Sequence, residues 1–445
     1  MSRSKSYQYL AFVRALEIQY SPFFRELMGW MQVMTGKMSA KQSVRAAKLV
    51  RGMSLMVSER ARNRIYDMLR KNPGIEAEAV WRDTMIEHHH FGPLIRKLPG
   101  LSRTIVLKAP AANGEKGILL LTFEYNWARL LLGADNEQLR WLAERFHIVL
   151  SSSSSPTNYA ALSLALSRIP GTVFVQACNP DENARIESFH PRLKCLPVMP
   201  CDWIMPDLYQ PKPMDERTRD ILMVAFWGPV KRHWEFFDML TRLPASLRVT
   251  MVGQTDGVRN KDDMIRIARD LGVKQELEVH QSIPVQHVAE LQCDAKVSVI
   301  MTRREGCCVA AVESLFAGSA LAMRADAHIG PLAYINAQTG MLLRPGHVAK
   351  DMAALLERAP SLRPQDWASQ NVSCYRSQEK LDAYFKQLDV HENRPWTGGI
   401  VLPIWRPHPT FARPEDQASL RPVYEELHKR MPVVFPVDLI TESWR

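Results

Sequence analysis

The chain has 445 residues, too many for a single hydrophobic core, and its 46% hydrophobic and 23% charged content is that of a globular protein of two domains plus appendages. No window approaches the ~18–20 uncharged apolar residues of a membrane span. Arg14 and Glu17 interrupt any secretory core, and seven cysteines give no disulfide framework, so a cytosolic protein with free thiols is expected. The net charge of +10 resides in residues 1–71, where fourteen Lys or Arg stand against four acids. The other 374 residues (445 less 71) balance, which argues against a nucleic-acid-binding body and leaves a basic amino-terminal face that suits an anionic membrane surface.

Residues 1–95 read as a basic helical extension. Tyr9, Phe12, Val13 and Leu16 recur at helical spacing, as do Leu27, Met31 and Met34. Lys41 to Leu69 is a basic amphipathic run with two readings, a membrane-surface helix or a cap packed on the body with a solvated basic face. The triplet His88-His89-His90 is not read as a metal site, because adjacent histidines on a helix point apart.

Residues 96–205 alternate strand and helix. Gly117 to Phe123, His147 to Leu150 and Thr172 to Val175 read as strands, with helices over Trp127–Phe146 and Tyr159–Ile169. That alternation implies a parallel sheet whose ligands bind beyond the strands' carboxyl ends. Glu124, Tyr125 and Asn126, the serine run from Ser151 to Ser155, and Cys178, Asn179 and Asp181 would face that crevice.

A proline-rich linker follows, Leu196-Pro197-Val198-Met199-Pro200-Cys201-Asp202 and then Pro206, Tyr209, Pro211 and Pro213. The alternation restarts over residues 206–388. Strands are expected at Ile221–Phe226, Arg248–Val252, Glu276–His280, Ala295–Met301, Ala320–Met323 and Gly340–Leu343. Helices are expected at Lys231–Leu243, Asp262–Leu271, Val285–Leu291, Cys307–Ala317, Val348–Arg358 and Gln365–Leu388. The fold class is therefore α/β, with two Rossmann-like doubly wound domains. Residues 389–445 form a tail rich in Pro and aromatic residues, in which Asp416 to Arg430 reads as a helix.

One stretch concentrates the chemistry. A buried strand ends in the turn Arg303-Arg304-Glu305-Gly306 and opens the helix beginning at Cys307-Cys308, with Gly318 as its stop. A helix mouth after a strand suits a phosphate, because its first N–H groups are unpaired and its dipole is positive there. Glu305 and Glu313 are eight residues apart, about two turns, in reach of the two ends of one ligand.

From about Lys194 to Leu388 the chain resembles the donor half of a GT-B glycosyltransferase, of the retaining glycosyltransferase family four (glycosyl transferases group 1). Five segments carry the resemblance in the family's order. They are the linker at Leu196–Pro211, Ile221 to Lys231, Val252-Gly253, Glu305-Gly306 through Glu313 to Gly318, and Thr339-Gly340-Met341-Leu342-Leu343-Arg344-Pro345-Gly346. The resemblance implies two domains facing a cleft, and hexosyl transfer from a nucleotide diphosphate sugar to a glycan or lipid-linked acceptor, with retention. It also implies that neither a cofactor nor a metal is needed. Lys231 would contact the donor diphosphate, with Arg232 as a second cation. Glu305 would hold the sugar hydroxyls and Glu313 the ribose. Gly306, Cys307 and Cys308 would offer backbone N–H groups to the phosphates, and Gly253 would lie on the nucleotide path.

The chain departs from the family's pattern at several positions. The family's arginine falls on Phe226 and the preceding glycine on Ala225, so Arg232, Arg303 or Arg304 would have to replace that cation. Cys308 stands for a glycine, the first loop of the acceptor domain reads Phe123-Glu124-Tyr125-Asn126, and no histidine lies in Gln176-Ala177-Cys178-Asn179. Two other readings stay open on these residues: a non-catalytic subunit that binds a nucleotide sugar or a partner, and an assembly platform at a membrane.

Overall fold

The structure, a computed structural model, describes residues 2–72, 78–88, 104–405 and 409–435. His89 and His90, the expected boundary near residue 95, Arg406-Pro407-His408, Pro436 and Trp444 lie outside those residues. The chain divides into two compact units. The N-unit is Gln19–Trp203 with Ser377–Arg445, and the C-unit is Met1–Ile18 with Ile204–Arg376.

This division differs from the four expected segments at both termini. Helix α1 (Ser2–Glu17) belongs to the C-unit, because Tyr9 and Val13, one turn apart, are buried in its core beside Met223, Trp227, Phe236 and Met264. Ser6 donates a 2.5 Å hydrogen bond to Asp270 of the same unit, and burial pushes the Tyr9 phenol up to about 12.

The N-unit opens with α2 (Pro22–Lys37), α3 (Gln42–Leu55), α4 (Glu59–Arg70) and α5 (Glu78–Asp83). Glycines set the approach of α2 to α3: a Cβ at Gly29 would lie 2.6 Å from the Met56 Cε, and one at Gly52 3.0 Å from a Val33 methyl. The sheet has the order β1-β2-β3-β4-β5. Strand β1 (Thr104–Lys108), unforeseen in the sequence, runs antiparallel to β2 (Gly117–Thr122). Strands β2, β3 (Phe146–Ser151), β4 (Val173–Gln176) and β5 (Leu193–Cys195) are parallel. Every residue of β1 to β4 is buried, the environment that continuous apolar runs signal.

Helices α6 (Glu124–Gly133), α7 (Asn136–Arg145), α8 (Tyr159–Arg168) and α9 (Asn183–Phe189) complete the alternation. The single helix expected over 127–146 is two, because Asp135 starts a new one in a reciprocal capping box with Gln138.

In the C-unit, β6 (Arg219–Val224), α10 (His233–Thr241), β7 (Val249–Gly253), α11 (Lys261–Asp270), β8 (Leu277–Gln281) and α12 (Val285–Cys293) come first. Then follow β9 (Ala295–Ile300), α13 (Val309–Phe316), β10 (Ala320–Arg324), β11 (Gly340–Leu343), α14 (Val348–Arg358) and α15 (Pro364–Asn371). All six strands are parallel, in the order β11-β10-β9-β6-β7-β8. The chain builds outward from β6 on one side, then returns to β6 with β9 and builds the other way. The doubly wound order is thus the C-unit's, while the N-unit sheet keeps sequence order among the described residues.

Helix α16 (Cys374–His391) carries the chain back to the N-unit, so the helix expected over 365–388 is broken at Val372-Ser373. The hairpin of β12 (Pro403–Trp405) and β13 (Pro409–Phe411) and helix α17 (Pro414–Arg430) are part of that unit. The buried Tyr424 hydroxyl of α17 accepts the Val106 N–H at 2.9 Å, satisfying an edge donor of β1.

Candidate functional site

Parallel strands that reverse their winding leave a crevice beyond their carboxyl ends, where two successive crossovers part to opposite sides. Here the reversal falls between β6 and β9. A cavity of about 190 Å³ lies there, lined by Val224 and Ala225 at the end of β6, Met301 and Thr302 after β9, and Lys231, Glu305, Cys307 and Cys308.

Local sequence aims each side chain. After β6, Gly228-Pro229 opens a single 3-10 turn over Pro229–Lys231. Arg232 then takes a left-handed conformation at φ 59°, and α10 starts only at His233. Lys231 is therefore the last residue of the turn and not the first of a helix. Its Nζ donates to Glu305 Oε1, and the pair is largely enclosed, the Lys231 side chain being 14% exposed. The second Glu305 oxygen is buried without a hydrogen-bond partner, an open acceptor of the kind a ligand hydroxyl fills.

Helix α13 begins at Val309 rather than Cys307, since the Val309 N–H turns back to the Cys307 carbonyl at 2.8 Å. Cys307 and Cys308 thus form the loop before the helix. Cys308 is buried, and burial pushes its thiol far up, with Glu305 and Glu313 adding to the rise. The lower end of α13 is closed by Gly318, at φ +69°, and by buried Arg217, which donates to the Gly318 carbonyl at 3.0 Å and to Ala317 at 3.2 Å. A cation there complements the helix dipole. Nothing in the sequence singled out Arg217.

Glu313 lies about one turn into α13 and does not line the cavity. Burial raises its carboxyl above the ordinary value, with Gln292 of α12 and Tyr209 of the linker opposing the rise. The Tyr209 ring stacks on Phe316 of the same helix, 6.3 Å between centroids. The proline linker therefore reaches the face of α13 that carries the second glutamate.

Two of the expected cations, Arg232 and Arg303, are engaged in ion pairs elsewhere. Arg232 is buried, bonding Glu235 at 2.7 Å and Glu17 of α1 at 3.1 Å. Arg303 pairs with Asp326 at 2.9 Å, and the Arg304 backbone forms an isolated parallel β-bridge with that of His328. Neither they nor Arg232 line the cavity, so Arg232 is corrected from a ligand contact to a structural ion pair. Phe226, in the position of the family's arginine, is 40% exposed, with Lys231 Nζ 5.6 Å from its ring centroid. Buried His233 is pushed down to about 3 and adds no charge at neutral pH. Lys231 and Glu305 are thus the charged residues lining the cavity.

Gly253 also has a packing reason. A Cβ there would lie 2.3 Å from the Ala225 carbonyl and 2.7 Å from the ring of fully buried Trp227. We expect Gly253→Ala to cost about 2 kcal/mol of stability by chemical denaturation, an overpacking penalty, even without any ligand.

The corresponding strand ends of the N-unit form a second polar cluster. Phe123 sits at φ 66° after β2 and starts α6 with Glu124. The buried Glu124 carboxylate accepts the Ser153 N–H at 3.1 Å and the Ser153 and Ser154 hydroxyls, while burial raises its pKa. The serine run is therefore tied down rather than open. Around it Ser151 and Ser155 hydroxyls, the Asn126 carbonyl oxygen and both amide atoms of fully buried Gln176 have no hydrogen-bond partner. Asn179 caps the next turn at the Asp181 N–H, 3.1 Å away, so it serves the fold. All seven cysteines are free, and no group of three or more metal-ligating side chains occurs among the described residues.

A doubly wound α/β unit with a lysine, a carboxylate and a helix mouth at the reversal point belongs to the class that binds nucleotides and their phosphates. Residues 206–390, which cover most of the C-unit, match the family of glycosyl transferases group 1. Over that segment, which is less than half of the 445 residues, the chain is similar to glycosyl transferases group 1. No curated protein sequence matches it. Similar solved structures include S. aureus TarM with fondaparinux, alpha-GlcNAc-glycerol and UDP, at 12% identity and TM-score 0.39, covering 56% of this chain and 50% of that one. Sucrose-phosphate synthase of Thermosynechococcus elongatus aligns at 14% identity and TM-score 0.48, over 72% of this chain and 80% of that one. Anabaena HepE with UDP aligns at 15% and TM-score 0.46, over 60% and 78%. The chain thus spans half the length of TarM.

Proposed function

We propose that the protein transfers a hexosyl group from a nucleotide diphosphate sugar to a glycan or lipid-linked acceptor, with retention at the anomeric carbon. The observation that carries this is the Lys231–Glu305 pair at the β6/β9 reversal, inside the segment of the family match. The diphosphate would take Lys231 from Glu305, placing positive charge where the leaving group gains negative charge. Glu305 would then turn both oxygens to the sugar hydroxyls. The loop Gly306-Cys307-Cys308 and the first turn of α13 would supply N–H groups to the phosphates. The cavity is smaller than the ~300–1,000 Å³ of complete ligand sites, so it suits the phosphate–sugar part of the donor.

Glu313 would take the ribose diol. The two hydrogen bonds that diol would donate would favour the charged carboxylate and offset what burial costs it. In the N-unit, the unpartnered amide of Gln176 and hydroxyls of Ser151 and Ser155 are chemistry suited to a hydroxyl-rich acceptor.

A second reading, a subunit that binds a nucleotide sugar without turning it over, is favoured by Phe226 and the single cation at the cavity. Thermal melting against UDP-, GDP- and ADP-sugars tests both. At a concentration of about 100 Kd the right donor should stabilise by about 2.7 kcal/mol. No response to any donor would overturn the proposal. Binding without hydrolysis or transfer of that donor would leave the second reading.

A further inference from the structure

Of the two readings of the basic run Lys41 to Leu69, the buried apolar residues fit the cap packed on the body. Leu49, Val50, Met53, Met56, Ile65 and Leu69 are buried within the N-unit. The open apolar face belongs to α2. Its inner side is Arg25, Gly29, Val33 and Gly36, all buried. Arg25 is held by the carbonyls of Leu55 at 3.1 Å and Ser54 at 2.9 Å. Small residues inward and large residues outward invert the usual amphipathic helix.

The outward side carries Phe23, Phe24, Leu27, Met28, Met31 and Met34, with Met38 just past the helix, and all are exposed, Phe23 at 70% and Met38 at 83%. At about 100° per residue these seven fall within an arc of about 140°, in which Thr35 is the one polar position. Scattered exposed apolar residues are ordinary, but a contiguous stripe marks a binding face. The glycine contacts hold α2 against α3, so the helix cannot roll to hide the stripe.

Charge identifies the occupant. Residues 19–72 contain eleven Lys or Arg and three acids, an excess of eight positive charges. The one acid of α2, Glu26, is withdrawn from the face to accept the Val57 and Ser58 N–H groups at 3.2 and 2.6 Å. Exposed Lys37 stands at the end of the stripe beside Met34 and Met38. No helix among the described residues is long and apolar enough to cross a membrane. A 16-residue helix with aromatic and methionine side chains on one face, fixed in place and ending in an exposed lysine, has the features of an interfacial helix.

We propose that the outward face of α2 beds into an anionic lipid surface, with the basic residues of α2 to α4 drawing it there. This does not rest on the transfer reading, which concerns the C-unit. The test is sedimentation of the full chain with vesicles of phosphatidylcholine alone or with phosphatidylglycerol. Wild type should bind the anionic vesicles. Leu27→Glu/Met31→Glu should lower partitioning by on the order of tenfold or more while far-ultraviolet circular dichroism and melting stay as in wild type. Lys37→Gln, which leaves the apolar face intact, should lower binding about fivefold on anionic vesicles only. Wild type that stays in the supernatant, or a double variant that binds like wild type, would overturn the proposal. So would a wild-type dimer that the double variant dissociates in the absence of vesicle binding, which would assign the face to a second copy. An unchanged melting response to the nucleotide sugar in the double variant keeps this result separate from that for the donor site.

Discussion

Lys231→Ala should lower kcat for sugar transfer by on the order of 10²–10³, the effect of removing one preorganised charge from a site where charge develops. Among the described residues its ammonium is the one positive side chain lining the C-unit cavity, and Arg232 and Arg303 are engaged with Glu17, Glu235 and Asp326. A site with two cations would retain part of the stabilisation after losing one. This site would retain only the N–H groups at the mouth of α13. Glu305→Ala should abolish transfer by removing the sugar contact. The pair acts as a unit, so Lys231→Ala/Glu305→Ala should be little worse than the more damaging single change. Each single change should cost about 1–3 kcal/mol of stability, because it leaves a largely enclosed partner unpaired, Glu305 at 22% and Lys231 at 14% exposed. Steady-state kinetics with the donor found by melting, alongside denaturation of each variant, decide the matter. Activity of Lys231→Ala within about threefold of wild type, or wild-type activity in Glu305→Ala, would remove these residues from the site.

The parts of this site that the sequence disclosed are those whose reasons are local. A buried β-branched run, a charged turn and Gly318 suffice to read a strand, a helix mouth and a helix stop, and β9, α13 and the φ of Gly318 are where that reading puts them. The spacing of Glu305 and Glu313 was read from the helical repeat, but the helix begins only at Val309, so Glu305 stands in the turn before it and Glu313 about one turn inside it. Asp135 shows the limit of periodicity, because the apolar rhythm runs on across a cap that restarts the helix. Strand β1 was missed because its partner, β2, and its cover, Tyr424, lie in other segments, the second of them more than 300 residues away. The allegiance of α1 was hidden for the same reason. Tyr9 and Val13 make an apolar pair that would suit any partner, and only the folded chain shows which unit they enter. The exposed stripe of α2 was visible as a helical pattern, but the pattern could not say that glycines would take the inner side.

The second large effect is on stability. Arg324→Ala should cost the C-unit about 3–5 kcal/mol, the range for removing one partner of a buried ion pair. Six side chains close a ring of alternating charge: Glu17 with Arg232, Arg232 with Glu235, Glu235 with Arg324, Arg324 with Asp326, Asp326 with Arg303, and Arg303 with Glu17. They come from α1, the start of α10, the turn after β9 and the end of β10, so the ring joins segments that hydrophobic packing alone would leave free to slide. Arg324 and Arg232 side chains are each 4% exposed, which keeps solvent from screening their partners. Burial alone would raise the Asp326 carboxyl, but Arg324 and Arg303 hold it below its ordinary 3.8. Its contribution is therefore present above about pH 4 and is lost as pH falls through its lower folded value. The ring also holds Arg232 in a left-handed conformation that costs a non-glycine residue roughly 1–2 kcal/mol, and that residue fixes the backbone immediately after Lys231. Loosening the ring should thus cost activity beyond what unfolding explains. Surface Arg242, paired with Asp238 and 63% exposed, supplies the control, because Arg242→Ala should change stability by no more than about 0.5 kcal/mol. Arg324→Ala/Glu235→Ala should recover part of the loss, since the carboxylate stranded by the first change is gone. If Arg324→Ala melts with the same stability as Arg242→Ala, the ring does not hold the unit together.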